Sequence, residues 1–378
     1  MITLILVHSC KNEVLVEEEN VSEFEEAYFE DYKSPLLKWG FIDKAGNFKI
    51  EAIYDDVRYF NNGLACVSKR GKWGAIDQKN KTIIEFNYLN MDDFSEEKSL
   101  VQGFDLNRYY INIKGDTLFP CPYDECYAFK NNMARYKENE VYGFINSKGE
   151  ALKEMRYSFA SNFKSGFAVV GIGKLYGVID TLGNIIVDIQ YDRVKINEGI
   201  ALLQKDKFWT FYDLADGEEI AGKYENAKVF MDGIAIVKMD EELGYIRKNG
   251  SFIKLAGDKA IYLNENRIAL KNDSGYSIVQ LDGSPINQYI YKNVFKFYCG
   301  IAGMERNGLW GYVDLNGNEV LPPQLPLIWD CSDGRIRVIN PSGFSYLNTK
   351  MEEVIPPQFI ESRDFIEGLA PAQPTTID

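Results

Sequence analysis

The sequence predicts an all-β fold assembled as a tandem array, and three observations carry that prediction. The stretch Lys38-Trp39-Gly40-Phe41-Ile42-Asp43 returns as Lys72-Trp73-Gly74-Ala75-Ile76-Asp77 and as Leu309-Trp310-Gly311-Tyr312-Val313-Asp314. Aligned on the residue after the tryptophan, the equivalent positions are Gly40, Gly74, Tyr109, Gly143, Gly177, Thr210, Gly244, Ser277, Gly311 and Ser345. They fall 33 to 35 residues apart, and a fixed period of this size marks stacked modules. Within each unit, short alternating segments are separated by glycine turns, with no helical period.

The first segment of a unit, aromatic-Gly-aromatic-Ile-Asp, is a short strand. Trp39, Trp73, Trp209 and Trp310 head it, and Tyr142, Tyr176, Tyr276 and Phe344 stand in for the indole. Arg108 and Leu243 replace it less well, which predicts weaker junctions at the third and seventh units. The strand ends on Asp43, Asp77, Asp180 or Asp314, whose carboxylate accepts hydrogen bonds from backbone two residues on and so starts a turn. Gly46, Gly183 and Gly317 close that turn, where a positive φ is needed.

The second segment is a β-branched return strand such as Thr82-Ile83-Ile84-Glu85. Pro322-Pro323 and Pro356-Pro357 stop it or confine it to an edge. A Tyr-Asp step follows (Tyr54-Asp55, Tyr123-Asp124, Tyr191-Asp192), then Phe-x-x-Gly-x-Ala leads into a third strand, as from Phe60 to Ala65. Such a three-stranded meander is too small to bury a core alone, so its neighbours must cover it. One indole closed over by the next unit removes roughly 200 Å² from water, about 5 kcal/mol as an upper bound. The glycine after it (Gly40, Gly74, Gly143, Gly177, Gly311) leaves space where another backbone comes close.

About ten units therefore fill residues 38–378. An open superhelical stack and a propeller-like closure both accommodate them. Propeller blades have four strands and rings four to eight blades, so three-stranded units in this number favour the open stack.

These residues resemble the WG (KWG) repeat family, bacterial proteins built from tandem Trp-Gly modules, over about residues 38–372. The resemblance implies a β-rich repeat scaffold, often exported or surface-associated, with no catalytic residue to carry over. The units at Arg108-Tyr109, Trp209-Thr210, Tyr276-Ser277 and Phe344-Ser345 depart from its pattern.

The amino terminus reads separately. Ile2–Val7 is apolar and Ser9 precedes Cys10, which resembles a bacterial lipoprotein signal (1–10) with lipidation at Cys10, although the charged n-region is missing. A first β-strand with an ordinary thiol is the other reading. Residues 11–37 then form an acidic spacer, since nine acidic residues against one lysine lie between Lys11 and Asp31. That stretch accounts for eight of the fourteen net negative charges, so the repeat body is nearly balanced and shows no basic face for nucleic acid. No run of eighteen apolar residues exists to span a membrane.

His8 is the single histidine, so the repeat body works without imidazole, and Ser-His-Asp or Cys-His catalysis is excluded there. Asp55-Asp56 could serve as paired carboxylates for sugar hydrolysis, but a step that recurs reads as a turn. Asp314–Glu319 lacks the order of a calcium loop, so no metal is assigned. Cys121 and Cys126 read as two buried thiols, with a disulfide open if the protein is exported. Cys299 and Cys331 hold nearly equivalent places in neighbouring units, where they could face each other. Trp329, Tyr109-Tyr110 and Tyr289/Tyr291 lie outside the motif, as interface residues or as core between units.

The expected protein is a non-enzymatic, cofactor-free, monomeric scaffold. It binds a protein or polysaccharide, not nucleic acid, at the bacterial cell envelope, and touches a membrane only through a lipid anchor. The alternatives are a cytoplasmic protein-interaction module and a carboxylate-dependent glycan hydrolase.

Overall fold

The computed structural model describes residues 35–152 and 156–375. Cys10, the signal at 1–10 and the spacer up to residue 34 lie outside them. Among the described residues every regular element is a strand. The fifth unit shows the pattern: Phe159–Ala160, Phe167–Ile172, Leu175–Asp180 and Ile185–Tyr191 lie side by side in that order, each antiparallel to the next. Among the described residues the expected three strands become four in six of the nine sheets, because a return strand continues past its own sheet into the neighbouring one; two sheets keep three strands and one has six. Only Asp192 separates Ile185–Tyr191 from Arg193–Asn197, the first strand of the sixth sheet.

The turn residues act as the sequence predicts. Asp43 Oδ1 accepts from the amides of Ala45 and Asn47, and Asp77, Asp180 and Asp314 repeat the arrangement. Gly46 closes its turn at φ +86°. The carboxylate of the Tyr-Asp step caps the next hairpin: buried Asp55 accepts from Gly71 N at 3.0 Å and pairs with Lys38, while Asp124 accepts from Asn139 N at 2.8 Å.

The motif glycine sits in a β-bulge. Tyr176 pairs with Tyr191 but Val178 pairs with Val187, so the return strand carries two extra residues opposite Gly177. A Cβ there would meet Val187 O at 2.5 Å, and one on Gly74 would meet Ile84 O at 2.6 Å; Gly40 and Gly311 face return-strand carbonyls in the same way. At Gly143 the space is filled instead by the Tyr136 ring. Where Tyr109 replaces the glycine the return strand stays in step, with Pro120 opposite Tyr109. Where Thr210 replaces it the bulge survives, and the return strand supplies Gly222 at φ +125°.

The core lies in the seams between sheets, where the motif rings pack mostly at its margin. Trp39 is buried, whereas Trp73, Trp209, Trp310, Tyr142 and Tyr176 are only half-buried. The deepest side chains are the residue after the glycine and the Phe of the next glycine turn. Phe41–Phe60, Tyr110–Phe129, Phe144–Phe163, Phe211–Phe230 and Tyr346–Phe365 meet edge-to-face at 4.7–5.0 Å. The first four pairs each join one sheet to the next, as in the cluster of Phe41, Ile50 and Tyr54 with Val57, Phe60 and Val67, while Tyr346 and Phe365 meet within the six-stranded sheet. The residue after the glycine points into the seam while the indole, one strand period back, covers its margin. Leu243 still packs against the seam of Ile236, Leu255 and Ile268, and Arg108 turns outward to donate to Asp124 O at 2.6 Å.

The open superhelical stack is overturned. The sheets close into a nine-bladed β-propeller, because the last strand returns to the first: Ala370–Pro374 pairs antiparallel with Trp39–Ile42, Gly40 opposite Ala372. Ten motif strands occupy nine sheets because one six-stranded sheet holds both ends of the repeat. There the return strand Glu353–Ser362 runs unbroken from the tenth unit into the first. Closure reuses bonds made elsewhere in the ring. Arg335 Nη2 donates to Lys44 O at 3.0 Å across the chain ends as Arg267 Nη2 donates to Leu315 O at 2.8 Å within the chain.

A second series of bonds runs from turn to turn. Glu96, Glu198 and Glu367 hold the third position of these turns at φ near +50°, and each reaches the same turn of the next sheet. Glu198 accepts from the amides of Asp232 and Gly233 at 2.5 and 3.0 Å, and Glu96 from those of Asn131 and Asn132 at 2.5 and 2.7 Å. Glu367 accepts from those of Asn62 and Gly63 at 2.7 and 2.9 Å, across the closure.

Cys121 and Cys126 are paired rather than the two separate thiols expected, which is the disulfide alternative left open, and Cys299 and Cys331 face each other across neighbouring units as their equivalent places allowed. Among the described residues Cys66 is the free thiol; it is buried and pushed up to about 12 first by desolvation and then by Asp93.

Two outcomes test these contacts. Gly177→Ala forces a Cβ against Val187 O and should cost about 1–3 kcal/mol in denaturant unfolding, while Thr210→Ala, where the glycine is already absent, should cost much less. Equal costs would refute the bulge explanation. Glu367→Ala should speed hydrogen exchange at the Asn62 and Gly63 amides and in Trp39–Ile42, whereas Glu198→Ala should act only near Asp232; unchanged exchange in both would refute the turn-to-turn bonds.

Candidate binding groove

The surface feature with the chemistry of a site lies between the sheets of the seventh unit (Asn226–Lys254) and the eighth (Lys259–Gln280). Strand alternation builds it. In Lys259–Tyr262, Ala260 and Tyr262 turn inward while Lys259 is exposed. Beside the two-residue strand Asn226–Ala227, Ala227 is buried and Lys228 is exposed. The result is a concavity of about 260 Å³ floored by Leu202, Met231, Ile234, Ile236 and Ile261, with Lys195, Lys228, Lys259 and Lys296 around it. A second concavity of about 280 Å³ shares Lys228, Ile236, Lys259 and Ala260 and adds Lys238, Leu243 and Asp258. The shared residues make the two one groove along the seam.

Five lysines and one aspartate line the groove. Lys238 is 3.4 Å from Glu225, and Lys296 Nζ lies 3.8 Å from Met231 Sδ. Among the described residues, Lys195, Lys228 and Lys259 make no ion pair. An apolar floor under unneutralised ammonium groups can take an anion that carries an apolar part. At one end, Tyr262 leads to a polar hollow of about 520 Å³ that includes Asp232 and Glu265. Tyr262 donates to Asp232 Oδ2 at 2.8 Å, and burial first, then this bond, pushes its phenol up to about 12.

Elsewhere Asp92 and Asp93 each lie 3.9 Å from Arg58, which also covers the Trp73 ring. Burial raises both carboxyls and the guanidinium opposes the rise. The Asp314 oxygens are engaged within their own turn, with Oδ2 accepting from Asn318 Nδ2 at 2.8 Å. Of the extra aromatics, Tyr110 and Tyr291 are buried, Tyr109 and Trp329 are half-buried and Tyr289 is exposed. The ring does not gather the motif tryptophans, glycines and turn aspartates into one site; it distributes them among its sheets. The sequence reading missed the groove because its lysines come from four successive units. The retrievable signal was to read each repeat column for charge instead of the chain.

Among solved structures, the crystal structure of the eukaryotic initiation factor is similar at 12% identity over 75% of this chain and 94% of that one, with a TM-score of 0.43. BamB from Moraxella catarrhalis is similar at 6% identity over 85% and 92%, with a TM-score of 0.33. Hsv2 from Kluyvelomyces marxianus is similar at 8% identity over 68% and 92%, also with a TM-score of 0.33. At such values the likeness says nothing of function. No curated protein matches the chain. The family described as WG containing repeat matches at 39–73, 73–102, 110–142, 142–176, 176–207, 209–242, 310–340 and 344–373. With these matches spanning most of the repeat body, the chain belongs to the WG containing repeat family.

Proposed function

We propose that this propeller is a non-enzymatic scaffold that binds a protein or glycan at the bacterial cell envelope, held there by lipid on Cys10. The groove of the seventh and eighth units carries the reading: it offers apolar surface and unpaired charge, the makings of recognition. The paired cysteines support the location, since disulfides persist in oxidising compartments. A carboxylate-dependent hydrolase is favoured by one observation, the raised carboxyls of Asp92 and Asp93. Their shared Arg58 fits an ion-paired cluster better than an acid and base poised apart. A cytoplasmic interaction module would keep the same groove with reduced thiols.

A photo-crosslinking residue in place of Val229, beside the groove, should capture a partner in cells of origin that the same residue at Ile185 does not. Equal capture from both positions would defeat the assignment of the site. For the location, mass spectrometry of the protein from its own cells should find lipid on Cys10 and non-reduced peptides linking Cys121 to Cys126 and Cys299 to Cys331. An unmodified Met1 with free thiols would place the scaffold in the cytoplasm.

A further inference from the structure

The two concavities share Lys228, Ile236, Lys259 and Ala260, and the lysines around them come from successive units: Lys195 from the sixth, Lys228 and Lys238 from the seventh, Lys259 from the eighth and Lys296 from the ninth. A compact anionic headgroup can satisfy one or two ammonium groups at a time. Satisfying charges spread over four units takes an occupant with carboxylates repeated along its length. The floor between them, Ile234, Ile236 and Ile261, is apolar and asks for a hydrocarbon or aromatic group in the middle of that occupant. Asp258 also lines the second concavity, and the hollow beyond Tyr262 carries Asp232 and Glu265, so the lysines lie between acidic neighbours that repel an anion elsewhere.

We propose, resting on the scaffold reading, that this groove binds an extended acidic polypeptide segment, with one apolar side chain on the isoleucine floor and carboxylates on the lysines around it. The energetics divide accordingly. The apolar anchor loses water contact and sets how long the segment stays, while the exposed lysines gather it and make binding depend on salt.

The test uses the full chain and a fluorescein-labelled ten-residue peptide rich in glutamate with one central phenylalanine, followed by fluorescence anisotropy. The proposal expects saturable binding that weakens at least tenfold when Lys228→Glu and Lys259→Glu are combined, and that survives Lys228→Arg with Lys259→Arg. It expects a similar loss when the peptide's phenylalanine becomes serine, and a milder one for Ile261→Ser. Matching circular dichroism and melting of the variants shows that the ring is intact, and the serine peptide, which needs no protein variant, gives the same answer independently of folding. Binding that ignores the phenylalanine, or that persists through charge reversal, overturns the proposal. So does laurate or a phosphatidylglycerol vesicle binding in the groove more tightly than the peptide. If no peptide binds while crosslinks still concentrate at Val229, the acidic-segment chemistry is wrong and the scaffold reading stands. If crosslinks are uniform around the ring, the scaffold site itself is wrong.

Discussion

The structure depends on an edge-to-face aromatic contact made between sheets. Phe41 against Phe60, Phe144 against Phe163 and Phe211 against Phe230 place one ring from each of two neighbours in a common seam. Neither ring can be buried by the short strands of its own sheet alone. A repeat built this way has an unsatisfied face at each end unless it closes. Closure supplies the missing partner: Leu369 joins the seam of Phe41 and Phe60, and Ile42 joins the seam of Phe344, Phe359 and Phe365.

Backbone geometry serves the same seams. The bulge opposite Gly177 bends the return strand so that it leaves its own sheet and enters the next within one residue. The glycine leaves space for that bend. In the tenth unit the same strand runs uninterrupted, and two units fuse into the six-stranded sheet that seals the ring. The turn carboxylates add a polar counterpart, in which each anionic side chain stands over amides of the following turn, as Glu198 does over Asp232 and Gly233.

A scaffold whose core is spread over every seam is free to vary its surface one repeat at a time. The positions two or three residues past the start of the first strand illustrate this. They hold Arg58 and the Asp92–Asp93 pair at one part of the ring and Lys195, Lys228 and Lys296 at another. The first group is an ion-paired cluster of two carboxylates on one guanidinium; the second surrounds an apolar floor. Function on such a ring belongs to the units that differ from their neighbours, not to the motif that they share.

The sequence by itself determined the strands, their turns and their period, because these are local. An aspartate accepts from amides two and four residues on, and a glycine admits positive φ, whatever surrounds them. It also made the close approach at Gly40, Gly74, Gly177 and Gly311 legible, since a missing side chain in a strand asks for a neighbour. Tertiary structure alone decided closure, the meeting of Cys299 with Cys331, the greater burial of Phe41 and its equivalents over Trp73, Trp209 and Trp310, and the gathering of lysines into a groove. Each of those depends on the angle between successive sheets. That angle is the summed result of strand twist and bulges over many residues, so no single position in the chain carries it.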